Sequence, residues 1–128
     1  MQQYVQEWSK PAAVWIKANV DGALSRDQGS GASSAILRGS YGKFIACASH
    51  FFRVAADSEV VELLACRQAI FLAPELKVQK VIIVTDSQVA ARKFVSHQKD
   101  LSANGQLVEE IKGLLRSFGD FKVAWVRR

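Results

Sequence analysis

The sequence predicts one α/β domain on a mixed five-stranded sheet, three antiparallel strands first and parallel crossovers after, with helices on both faces. Three observations carry that reading. Residues 14–52 hold three apolar, alternating segments separated by short Gly/Ser-rich stretches, the pattern of an antiparallel meander. Val81–Thr85 (Val-Ile-Ile-Val-Thr) is a continuous β-branched run set between helical segments, as a parallel strand buried on both faces would be. The chain has 128 residues, 49% hydrophobic and 23% charged, an ordinary composition for a single globular domain.

The elements follow in order. Met1–Ala13 reads as an N-terminal tether, because polar residues dominate it and the Lys10-Pro11 junction disfavours helix. The domain then occupies 14–128. Strand one is Val14–Asp21, with Ile16, Ala18 and Val20 alternating against Trp15, Lys17, Asn19 and Asp21. Gly22–Gly31 reads as a loop. Ala32–Leu37 is strand two, Gly39–Gly42 a turn, and Lys43–Phe52 strand three. Asp57 or Ser58 caps a helix that runs to Ala73, since Pro74 is not expected inside it. Its stripe is Val61, Leu64, Ala65, Gln68 and Leu72, with Glu62, Cys66, Ala69 and Ala73 beside it, so it is apolar around much of its girth. Val81–Thr85 is strand four, and Ser87–Ser96 is a helix with Val89, Ala90 and Phe94 inward. His97–Asn104 is a loop, Gly105–Phe118 an amphipathic helix, and Phe121–Val126 the last strand.

Composition narrows the function classes. No apolar run approaches the ~20 residues of a membrane span. The start lacks the apolar core of a secretory signal, so an intracellular protein of nucleus or cytoplasm is expected. Cys47 and Cys66 are too far apart for a redox pair or metal knuckle and are expected to be buried thiols. His50 and His97 lack partners at ligand spacing.

Chemistry concentrates on three acids. Asp21 ends strand one, Asp86 ends strand four, and Glu62 lies near the start of the first helix. If the two strands are parallel neighbours, both aspartates emerge side by side at the sheet end where ligands gather. Glu62 then reaches them from the helix above. Three carboxylates from three elements form the oxygen-rich donor set that hard divalent ions prefer. Each acid also has a plainer reading: Asp21-Gly22 as a hairpin turn, Asp86 as a helix N-cap, Glu62 as a solvated helical glutamate. Setting those acids aside leaves 17 basic against 9 acidic residues, +8, a body suited to a polyanion held over metal ions.

Asn19-Val20-Asp21-Gly22-Ala23, Ile36-Leu37-Arg38 followed by Gly42, Ser58 with Glu62-Leu63-Leu64-Ala65-Cys66-Arg67, and Thr85-Asp86-Ser87 together resemble the ribonuclease H-like domains of plant retroelement reverse transcriptases and their domesticated relatives. The resemblance implies a ribonuclease H-like fold and cleavage of the RNA strand of RNA–DNA hybrids with Mg²⁺ or Mn²⁺. It makes Asp21, Glu62 and Asp86 the catalytic, metal-binding carboxylates. Departures accompany it. The family's fourth carboxylate lies on a helix after the last strand, and this sequence stops at Arg128 before any such helix. The basic protrusion that some members use to grip the hybrid is also missing. A hybrid endonuclease of weakened or lost turnover is therefore expected. The alternatives are a non-catalytic module for RNA–DNA hybrid or double-stranded RNA, and a retroelement-derived protein-interaction domain using apolar surface near Phe121 and Trp125.

Overall fold

The computed structural model describes residues 15–25, 27–39, 42–54, 57–75 (side chains as far as 72) and 80–127. The expected tether, Val14, Ser40-Tyr41 and Arg128 lie outside them. The elements are β1 (Trp15–Ser25), β2 (Ser30–Arg38), β3 (Phe44–Phe52), α1 (Ser58–Glu75), β4 (Lys80–Thr85), α2 (Gln88–Val95), α3 (Gly105–Leu115) and β5 (Asp120–Trp125).

One five-stranded sheet runs in the order β3-β2-β1-β4-β5. The meander pairs antiparallel, while β4 pairs parallel with both β1 and β5. This is the expected mixed topology. Its core lies on one face, where Ala18, Val20, Ala35, Leu37, Val81 and Ile83 alternate inward. They form a single cluster with Leu63, Cys66 and Ile70 of α1, Phe94 of α2, and Ile111 and Leu115 of α3. Among the described residues all three helices therefore gather on that face rather than on both. The reason is chirality. The crossovers β3-α1-β4 and β4-α2-α3-β5 both advance in the same direction along the sheet, so right-handed connections put their helices on the same side. The opposite face carries exposed Lys17, Asn19, Arg38 and Lys122.

Several boundaries move, each for a local reason. β1 does not end at Asp21 but continues to Ser25, because β2 pairs with it as far as Ser25↔Ser30. The turn sits at 27–29, where Gly29 has φ +63°. α1 runs through Pro74 to Glu75. A proline at that position removes one backbone hydrogen bond without interrupting the helix before it. α3 stops at Leu115, with Ser117 and Phe118 closing short turns onto Leu114 and Leu115. Phe118 still packs against the core.

Two burial expectations fail. Val89 is 51% exposed, since α2 turns Ala90 and Phe94 inward instead. Cys47 is exposed on edge strand β3, on the face the helices leave open, whereas Cys66 is buried as expected. Leu63, Ile70 and Val108 are core residues that the helical stripes did not single out.

Candidate metal centre

The end of the β1–β4 pairing builds this site. The parallel register stops at Asn19↔Val84, and each strand then delivers an aspartate within two residues, Asp21 on β1 and Asp86 directly after β4. Asp57 caps α1 by accepting from the Glu59 N–H at 2.9 Å, which sets where that helix begins. Asn104 Nδ2 donates to Asp57 Oδ2 at 3.0 Å and Glu59 Oε1 at 2.9 Å, and Lys93 Nζ donates to Glu59 Oε1 at 3.1 Å. These bonds fasten the first turn of α1 to α2 and α3. Glu62 lies just beyond that turn.

The structure brings Asp21, Glu62 and Asp86 together, each offering a carboxylate oxygen within 4.8 Å of the others. Two of the plainer readings fall on the same geometry. Asp21 is within a paired strand, and no turn forms at Asp21-Gly22. The N-cap of α2 is Ser87, whose hydroxyl accepts from the Ala90 N–H at 3.1 Å, so Asp86 does not cap it. Nor is Glu62 a solvated glutamate, being only 6% exposed.

Glu62 is held at both oxygens. Oε1 accepts from the Gly22 N–H at 3.1 Å, and Oε2 accepts from the Thr85 hydroxyl at 2.7 Å. Burial pushes its carboxyl above the usual carboxylate range. The charges of Asp86 and Asp21 push the same way, while the Thr85 and Gly22 bonds oppose them. A cation among the three acids would relieve that strain on the ionised form, so the donor set fits a hard divalent ion. Glu62 and Asp86 border a cleft of about 350 Å³ lined also by Gly22, Ser58, Glu59, Ser87 and Val89. The indole Nε1 of Trp125 donates to the Asp86 carbonyl at 3.1 Å, tying β5 to the same corner.

Sequence reasoning missed two supporting residues. Gly22 reads as a turn glycine, but its place is a close crossing: a Cβ there would lie 2.8 Å from the Glu62 nitrogen and 2.9 Å from its Cα. Only a residue without a side chain lets α1 approach β1 so nearly. Thr85 reads as another β-branched strand residue; its position immediately before Asp86 was the available signal.

The model of the reverse transcriptase-like family matches residues 19–128. The chain belongs to that family. Solved ribonucleases H share its fold across most of both chains. Ribonuclease H1 of Halobacterium salinarum superposes with a TM-score of 0.80 at 20% identity, over 89% of this chain and 86% of that one. The N-terminal ribonuclease H domain of a Mycobacterium tuberculosis protein gives 0.82 at 17% identity, over 91% and 84%. LC11-RNase H1, solved in complex with an RNA/DNA hybrid, gives 0.76 at 15% identity, over 88% and 86%. No curated protein matches the chain. The family assignment and these likenesses give the protein a ribonuclease H-like fold. Among the described residues, no helix is long and apolar enough to cross a membrane.

Proposed function

We propose that this protein is a metal-dependent ribonuclease acting on the RNA strand of RNA–DNA hybrids. The observation that carries the reading is the convergence of Asp21, Glu62 and Asp86, with oxygens within 4.8 Å, in a basic protein of the reverse transcriptase-like family. These three carboxylates would hold Mg²⁺ or Mn²⁺. The chemistry supplied by a divalent cation there is polarisation of a phosphoryl oxygen and a lowered pKa for water.

The chain's own groups do the rest. Gly22 and Thr85 fix the Glu62 carboxylate, and the repulsion among three close acids makes the site favour a cation over none. The basic remainder of the surface draws a phosphate backbone towards the cleft. Beyond Asn19, β1 stays paired with β2 but no longer with β4, so the main-chain groups on that one edge face no neighbouring strand. They are disposed to meet the minor groove of a hybrid, where 2′-hydroxyls distinguish RNA from DNA.

The test is cleavage of an end-labelled hybrid in Mg²⁺ or Mn²⁺, with Asp21→Asn beside the wild type. Cleavage by the wild type alone supports the proposal. Salt-sensitive hybrid binding with no cleavage by either protein would leave a binding module in its place.

A further inference from the structure

We infer that Thr85 is a positioning residue, whose hydroxyl holds Glu62 in register with Asp86 for cation binding. The inference rests on the metal-site reading above and adds to it a residue that touches no ligand itself.

The side chain of Thr85 is wholly buried, facing α1 from the strand that also contributes Val81 and Ile83 to the core. Packing alone asks for a β-branched residue there, and valine has the same shape. What valine lacks is the hydroxyl, which makes two bonds of fixed polarity. It has one hydrogen, and Glu62 Oε2 at 2.7 Å is an acceptor. Its lone pair receives the Ser87 N–H at 3.0 Å. One atom therefore links the acid on α1 to the residue that follows Asp86 and caps α2.

The consequence is geometric. A glutamate has three rotatable side-chain bonds and samples many positions unless restrained. Here Thr85 restrains Oε2 and the Gly22 N–H restrains Oε1. Each carboxylate oxygen accepts more than one hydrogen bond, so either retains a lone pair for a cation. The ligand is ordered before any ion arrives, the usual role of groups that hydrogen-bond to metal-binding carboxylates.

The experiment measures Mn²⁺ dissociation constants by calorimetry for wild type, Asp21→Asn, Thr85→Ser, Thr85→Val and Thr85→Ala, with melting temperatures alongside. Valine and alanine differ in size but both lack the hydroxyl. Both should weaken Mn²⁺ binding by about tenfold, the lower end for loss of such a partner, while serine restores it to within about twofold. Cleavage should lose kcat at sub-saturating Mn²⁺ with the hybrid KM unchanged. Alanine avoids any clash with the carboxylate, so the question stands even if the valine variant folds poorly. Wild-type affinity in Thr85→Ala, or a serine variant as weak as alanine, overturns the inference while the metal site survives. A wild type that binds no Mn²⁺, or an Asp21→Asn variant that binds equally well, removes the metal reading and the inference with it.

Discussion

Gly22→Ala is the sharpest probe of how the site is assembled. The added Cβ would stand 2.8 Å from the Glu62 nitrogen, 2.9 Å from its Cα and 2.9 Å from the Val61 carbonyl carbon. All three are main-chain atoms, so no side chain can swing aside. Ordinary contact begins at 3.4 Å, so α1 must retreat from β1 by about 0.6 Å. A gap of that size forfeits about a quarter or more of each contact's dispersion energy. The helix packs through Leu63, Cys66 and Ile70, all essentially inaccessible to water. Overpacking of this kind costs about 1–3 kcal/mol, and the backbone clash puts Gly22→Ala near the upper end. The same retreat lengthens the Gly22 N–H bond to Glu62, so metal affinity should fall with stability. Urea denaturation by circular dichroism reads the first effect and calorimetric Mn²⁺ titration the second. Gly29→Ala is the control: nothing lies within 4 Å of its Cβ position, and only its φ of +63° opposes the change. It should cost about 1 kcal/mol and leave metal binding alone. A Gly22→Ala protein as stable as the wild type, with unchanged Mn²⁺ affinity, would refute the close-crossing argument.

Three further outcomes are expected. Mg²⁺ or Mn²⁺ at 100 times its dissociation constant should stabilise the fold by about 2.7 kcal/mol, read as a rise in Tm, and Asp86→Asn should abolish the gain. Without metal, Glu62 binds its proton more tightly folded than unfolded, so its contribution to stability declines as pH rises from 4.5 through its raised folded pKa. Tm measured against pH should therefore show a fall over that window that is missing in Glu62→Gln, and Mn²⁺ affinity should climb across the same window. Ser87→Ala removes the cap on the Ala90 N–H and should cost about 1 kcal/mol by chemical denaturation; a neutral result would mean the cap contributes little.

The strand order was legible because β-branched and alternating runs differ in kind from helical stripes, and Val81–Thr85 could only be an interior parallel strand. That Asp21, Glu62 and Asp86 would meet was legible too, since parallel neighbours deliver their ends to one place and α1 lies across them. The length of β1 was not. Asp21-Gly22 has the composition of a hairpin turn, and only the pairing of Ser25 with Ser30 shows the turn five residues further on. Gly22 carries the general lesson: a glycine required by a helix passing overhead looks the same in sequence as one required by a turn. Thr85 was hidden likewise, since a buried threonine and a buried valine satisfy one β-strand pattern. Its hydroxyl acquires meaning only when Glu62 arrives from 23 residues away. The gathering of helices on one face follows from crossover handedness, which the order of elements contains but periodicity does not reveal.

Diffraction from crystals soaked in Mn²⁺, recorded where manganese scatters anomalously, tests the central claim most directly. A peak is expected within about 2.2 Å of carboxylate oxygens from Asp21, Glu62 and Asp86 together. Saturating Mn²⁺ with no peak at that corner, or a peak bound by other residues, would contradict it.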